Sequence, residues 1–306
     1  MARVVSFLIY FSLFIVFSHC TSNKTKSPKD KYNNGVIHIS ADESFKPIID
    51  LQVKSYEAKY PNTKLIVEYK PEAECIRDMA ADSTRMIIIT RKYSKDEERF
   101  MLDSLHVVPV QMILAYDAIA VIVSTESADS LFTLNDIKDI IKGKFKKNLT
   151  PVFDGLNATS TIRFIIDSVL RGDTLTSKAR AAKNSEEVID YVAKNSNTVG
   201  FIGISWVGNK EDEQQRSFLT KVRLAKIESI DLPEKYIQPV QANIYEGRYP
   251  MTRELVCILK ENHKEGLGHG FKNFMSGELG QLIFRRAYLV PGQMQFIVRS
   301  ATLRDE

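Results

Sequence analysis

The sequence predicts an α/β fold in which mostly parallel sheets are covered by helices. Three observations predict it. Short apolar runs alternate with amphipathic helical patterns along most of the chain, the signature of βαβ units. The runs at 86–90 and 118–123 are apolar on both faces, as strands buried between helix layers are. About 270 residues remain beyond the N-terminal segment, enough for one large or two medium cores. This many units calls for two sheets.

Residues 36–39 read as a strand. A helix follows over 44–60, with Phe45, Ile48, Ile49, Val53 and Tyr56 on one face and Pro61 as its stop. A strand at 64–69 leads to a short helix marked by Ala73, Ile76, Met79 and Ala80, then to the buried run at 86–90. Ser94 and Glu97 have the spacing of a capping box. After the strand at 118–123, residues 133–141 read as a capped helix that Gly143 ends. Residues 152–153 close another strand-like run. Residues 185–194 form a helix leading into a strand at 198–205, and residues 209–217 are polar enough to be a surface loop. A strand at 256–259 and helices at 267–275 and 278–287 complete the chain.

The first 20 residues have the character of a targeting segment. Arg3 is a short basic start, and residues 4–17 are almost wholly apolar. That run is too short to be a convincing membrane span. It ends at Phe17-Ser18-His19-Cys20 and turns polar at once. A cysteine directly after such a run resembles a bacterial lipoprotein signal, which would make Cys20 the lipidated N-terminus. An ordinary secretory signal or an uncleaved anchor is the alternative. Residues 21–34 are polar without periodicity and read as a disordered tether.

The formal net charge is +4, with acidic and basic residues interleaved. There is no basic stripe of the kind nucleic-acid binders carry. Cys75 and Cys257 are too few and too far apart for a disulfide framework and are expected as small core residues. The five histidines are scattered and no cluster has metal-ligand spacing, so no metal and no cofactor are expected.

The most informative stretch is 154–163, Asp-Gly-Leu-Asn-Ala-Thr-Ser-Thr-Ile-Arg. A strand ends, a turn follows, and Thr159, Ser160 and Thr161 stand before an apolar helical pattern through Ile162, Ile165, Ile166 and Val169. Unpaired helix amides and hydroxyl donors, with Arg163 one turn in, suit a small oxyanion. Taken alone, these residues favour a plain N-cap over an oxyanion site.

The layout resembles the phosphate-type periplasmic binding proteins of ABC transporters. The residues that carry this are Ser40-Ala41-Asp42-Glu43-Ser44-Phe45 after the first strand, Lys70-Pro71-Glu72 after the second, and Ile89-Thr90-Arg91 after the third. Tyr116-Asp117-Ala118 looks like the outward crossover, and Leu131 to Ile140 like the family's helix ending at a glycine. Ala158-Thr159-Ser160-Thr161 falls on the phosphate loop, Val199-Gly200-Phe201-Ile202-Gly203 on a glycine-bearing strand, and Arg248 to Arg253 on the return crossover. The resemblance implies the type II two-lobed periplasmic-binding-protein fold, each lobe a mostly parallel sheet flanked by helices, with two hinge strands. Lobe 1 would be 35–117 plus 254–306, and lobe 2 would be 118–253.

It also implies a cleft site. Ser44, Phe45, Glu72, Arg77, Thr90, Arg91, Asn157, Thr159, Ser160, Thr161 and Arg163 are the expected ligand-binding residues. Asp42, Glu43, Glu72 and Glu74 stand where the family places small or hydroxyl residues, and Gly155 stands near its arginine. Asp42 and Glu43 read either as helix caps turned from the cleft or as part of it. The implied role is a lipid-anchored, monomeric, extracytoplasmic protein that delivers phosphate or a similar small oxyanion to ABC permease subunits. An envelope scaffold or sensor is the alternative. No nucleophile elbow or nearby histidine points to an enzyme.

Overall fold

The computed structural model describes residues 30–81, 83–155 and 159–295. Residues 1–29, with Cys20 and the expected targeting segment, and Asn157, an expected ligand-binding residue, lie outside the described residues.

The first half opens with β1 (Gly35–Asp42), a single 3-10 turn at Glu43–Phe45 and α1 (Lys46–Lys59). β2 (Thr63–Lys70), α2 (Glu72–Asp78), β3 (Thr84–Ile89) and α3 (Lys95–Leu105) follow. The Ser94–Glu97 capping box forms as the spacing predicts. β1 pairs in parallel with both β2 and β3.

β4 (Val110–Ser124) is 15 residues long, much more than the 118–123 run that the sequence marks. Its first part, residues 110–117, alternates less clearly and carries Gln111, Tyr116 and Asp117, so apolarity alone underestimates it. The second half continues with β5 (Leu131–Phe132), α4 (Leu134–Lys142) and β6 (Thr150–Phe153). Gly143 takes the left-handed conformation that ends α4, at φ 68°. α5 (Ser160–Phe164) runs on as a π-type turn, Ile165–Leu170. β7 (Arg180–Ala181), α6 (Ser185–Lys194) and β8 (Thr198–Gly203) come next.

The polar stretch expected as a surface loop over 209–217 is in part helical. α7 (Glu213–Lys221) starts on Asp212, whose carboxylate accepts from the Gln215 amide, and it buries Gln215 and Phe218. One apolar anchor per two turns was too weak a signal to read as amphipathic. β9 (Val222–Leu224), β10 (Lys226–Glu228), β11 (Tyr236–Ile237) and α8 (Gln241–Tyr245) lead to β12 (Thr252–Leu259). α9 (Leu267–Ser276), α10 (Glu278–Arg286) and β13 (Val290–Pro291) finish the described chain.

The two expected sheets are fused into one path, β2-β1-β3-β12-β4-β8-β6-β7. β4 and β12 are antiparallel to each other, and they join the parallel β1-β2-β3 set to the parallel β6-β7-β8 set. Two main cores lie on either side of this joint. One gathers Ile37, Phe45, Ile49, Tyr56, Leu255 and Phe271, and the other Ile119, Ile140, Phe153, Val188, Phe201 and Tyr249. Cys75 and Cys257 are free and buried, as expected of core residues.

The tether ends earlier than the sequence indicates. Asp30 is buried against Arg85, Arg85 also meets Glu261 at 2.7 Å, and the Tyr32 amide donates to the Glu265 carbonyl at 2.8 Å. Residues 30–34 are therefore part of the first half.

Candidate functional site

The C-terminal ends of β1, β3, β6 and β8, the midpoint of β4 and the first residues of β12 converge between the two cores. In open α/β sheets this is where loops gather and ligands bind. The residues there are nearly all polar and nearly all buried: Asp42, Ser44, Glu72, Thr90, Asp117, Asp154, Thr159, Ser160, Thr161, Ser205 and Arg253.

The floor is an ion pair set by strand register. Asp117 on β4 and Arg253 on β12 are Cα partners across the antiparallel pair. Arg253 Nε donates to Asp117 Oδ2 at 2.8 Å, and Arg253 Nη1 donates to Ser160 Oγ at 2.9 Å. The guanidinium lies over the Phe45 ring, 5.1 Å from its centroid. Burial works against the charge on Arg253, but the carboxylates of Asp117, Asp42 and Asp154 outweigh it and keep the group cationic. Gly203 allows the close approach. A Cβ there would stand 3.1 Å from Arg253 Nη2 and 3.3 Å from the Ser44 carbonyl.

Two further carboxylates face this floor. Asp42 Oδ1 accepts from the Ser44 amide at 2.8 Å, so Asp42 is the cap that the sequence allowed. It is not turned away, however. Burial, and then the neighbouring Glu72 carboxylate, push Asp42 up to about 6 against the pull of Arg253. Asp154 Oδ2 accepts from Thr161 Oγ1 at 3.3 Å and Ser44 Oγ at 3.4 Å, and burial raises its pKa as well. Arg253 Nη2, Asp117 Oδ1, Asp42 Oδ2 and Asp154 Oδ1 are buried with no hydrogen-bond partner among the described residues. One donor and three acceptors left so are costly unless something fills them.

The rim crosses from one half to the other. Arg163 on α5 donates from Nε to Glu72 Oε1 at 3.0 Å and from Nη2 to Thr90 Oγ1 at 2.7 Å. Thr90 Oγ1 in turn donates to Glu72 Oε2 at 2.5 Å. Glu43 accepts from the Ser185 amide at 3.3 Å and its hydroxyl at 3.1 Å, and burial followed by Asp154 pushes Glu43 up to about 7. The Ser44 carbonyl accepts from Ser205 Oγ at 3.0 Å and Trp206 Nε1 at 2.9 Å.

The structure gathers most of the residues singled out from the sequence. Ser44, Glu72, Thr90, Ser160, Thr161 and Arg163 meet here. Thr159 is the N-cap of α5, its hydroxyl accepting from the Ile162 amide at 3.3 Å. Phe45 is fully buried and supports Arg253 from below. Arg91 stands at the edge, held by two 2.7 Å bonds to Glu97 and 3.7 Å from Glu72. Arg77 is not part of the cluster. Its side chain is 73% exposed, 3.8 Å from Glu74, because α2 turns that face to solvent. The ion pair with Glu74 is the surface pairing that the acidic neighbours of Arg77 already allowed.

Asp117, Asp154, Arg253 and Ser185 are the additions. Asp117 and Arg253 read from the sequence as hinge positions only. The signal for more was present: a charge inside each of two largely apolar strands, Asp117 in Ala115-Tyr116-Asp117-Ala118-Ile119 and Arg253, next to Glu254, at the start of the 252–259 strand. A buried charge needs a partner.

The sequence profile of a family described as "PBP superfamily domain" matches residues 22–278. No curated protein matches the chain. Among solved structures, a putative phosphate ABC transporter substrate-binding protein with bound phosphate from Clostridium perfringens is similar at 20% identity and a TM-score of 0.69. That match covers 84% of this chain and 99% of the other. An ABC-type phosphate transport receptor from Vibrio cholerae is similar at 16% identity and a TM-score of 0.62, over 84% of this chain and 100% of the other. The CcmR regulatory domain from Synechocystis PCC6803, in complex with 2-PG, is similar at 10% identity and a TM-score of 0.53, over 79% and 96%.

Proposed function

The chain belongs to the PBP superfamily, and from that premise we propose that it is an extracytoplasmic solute-binding lipoprotein that captures phosphate or a similar small oxyanion for an ABC importer. The observation that carries this reading is Arg253 Nη2, a buried guanidinium nitrogen with no partner among the described residues, on a guanidinium that already meets the Ser160 hydroxyl. Each charge-assisted bond to an oxyanion there contributes roughly 1.5–3 kcal/mol. The similar Clostridium protein with bound phosphate and the Vibrio phosphate transport receptor support this ligand class.

Arg253 supplies, from the return crossover, the cation that the loop before α5 lacks at Gly155. The unfilled oxygens of Asp42 and Asp154 accept the hydrogens of a protonated oxyanion. The ligand set of this reading is Ser44, Thr90, Thr159, Ser160, Thr161 and Arg163, with Arg253, Asp42 and Asp154 added; Arg77 is exposed, Phe45 packs under Arg253, Arg91 is held by Glu97, Glu72 faces Arg163 instead of the ligand, and Asn157 lies outside the described residues. Cys20 carries the lipid, the mature chain works as a monomer, and no catalytic step is assigned. Among the described residues the lobes are 30–117 plus 254–295 and 118–253, and they hinge where β4 and β12 run between them near Asp117 and Arg253.

Titration calorimetry on the chain from residue 21 onward tests this. Phosphate is expected to bind with Kd on the order of micromolar or tighter, and Ser160→Ala to weaken it about tenfold. No heat with phosphate, arsenate or sulfate would sink the oxyanion reading. The scaffold or sensor alternative draws on a different observation: the cross-cleft polar groups satisfy one another without a solute. Capture from detergent-solubilised membranes separates the two, since an importer needs permease subunits in the eluate.

A further inference from the structure

Glu72 is an unusual residue to find inside an anion cleft. It is the first residue of α2, in the first half of the molecule, and its side chain is 2% exposed. Its partners are a hydroxyl and two cations. Thr90 Oγ1 donates to Oε2 at 2.5 Å, Arg163 donates from Nε to Oε1 at 3.0 Å and from Nη2 to Oε2 at 3.5 Å, and Arg91 Nε lies 3.7 Å away. Arg91 is already committed to Glu97 by two 2.7 Å bonds, which leaves Arg163 as the stronger cation for Glu72. Arg163 comes from α5, in the opposite half.

Asp42 is the other charge felt nearby, and it repels Glu72. A carboxylate buried beside another carboxylate is stable only with a cation in place. Separating the halves would strip Glu72 of that cation. Further polar contacts cross the same boundary: Glu43 to Ser185, and Ser205 and Trp206 to the Ser44 carbonyl.

We infer that Glu72 is a resident anion that latches the two halves shut in the absence of solute, by holding Arg163 across the cleft with the help of Thr90 from its own half. It occupies the guanidinium face that an incoming oxyanion would use. Solute capture is then an exchange, in which the ligand takes Arg163 from Glu72. This goes beyond the transport reading, because it describes a closed state that exists without ligand.

Small-angle X-ray scattering on the chain from residue 21 onward, stripped of phosphate by a scavenging enzyme, tests the latch without any solute. The unmodified protein is expected to scatter as the closed structure does. Glu72→Gln and Arg163→Gln are expected to shift to a larger radius of gyration while melting cooperatively. The charge-swapped pair Glu72→Arg with Arg163→Glu is expected to restore the compact profile, which a merely local packing role would not do. An open unmodified protein, or single variants that scatter as it does, would overturn the latch. So would a swapped pair that stays open.

Phosphate titration adds the exchange. Glu72→Gln frees Arg163 and is expected to bind phosphate about tenfold more tightly than the unmodified protein; equal or weaker binding overturns the exchange. If neither protein binds phosphate, the oxyanion reading fails, and the scattering result still decides the latch.

Discussion

The two arginines that face the cleft do so under opposite conditions. Arg253 has a side chain 2% exposed and pairs with its own cross-strand neighbour, Asp117. Arg163 is 31% exposed and pairs with a carboxylate from the other half of the molecule. The first pair is fixed by sheet register, inside the two strands that join the halves. The second exists only when they meet. One arginine is therefore built into the frame, and the other reports its state.

Removing a partner from the fixed pair gives the largest effect. Arg253→Ala leaves Asp117 buried with no cation and is expected to cost about 3–5 kcal/mol of stability, measured by urea unfolding. A loss below about 1 kcal/mol would mean that Asp117 takes up a proton instead, and that the floor is no true ion pair.

The next effect concerns the carboxylates between floor and rim. Asp42 keeps its proton up to about 6 and Glu43 up to about 7, whereas unfolded carboxylates release theirs near pH 4. Between these values the native state binds more protons than the unfolded state. Stability contributed by the two groups therefore falls as pH rises from about 4 to about 7. Asp42→Asn keeps an oxygen for the Ser44 amide and removes the buried charge. It is expected to flatten this fall and to gain about 2–3 kcal/mol at pH 8, read from melting curves at pH 5 and pH 8. An unchanged slope would show that Asp42 is solvated and lies outside the cluster.

The smallest effect is the control. Arg77→Ala removes an exposed i,i+3 pair and is expected to change stability by less than about 0.5 kcal/mol and phosphate titration not at all. A clear loss of binding would return Arg77 to the site.

Much of this arrangement was legible in the chain. Alternation gave the strand and helix order, and the capping patterns at Ser94 and Thr133 formed as written. The hydroxyl run at 159–161 and Arg163 came to the cleft because a strand must deliver them there. Less was legible in the length of β4 and in α7, where burial on one side only leaves a faint apolar pattern. Arg77 was misplaced for a related reason: a seven-residue helix gives too few turns to say which face is inward. The roles of Asp154 and Glu72 depend on groups 91 to 110 residues distant in sequence. No local pattern encodes such meetings.

The place of β12 has a consequence for how the chain acquires its shape. In the sheet it lies between β3 and β4, yet it is the last long strand to be synthesised. Until residues 252–259 emerge, β3 and β4 have no common neighbour, and the N-terminal core lacks Leu255, Cys257 and Leu259. The half that begins first must finish last. A chain that still lacks β12 therefore has neither a joined sheet nor a complete first core.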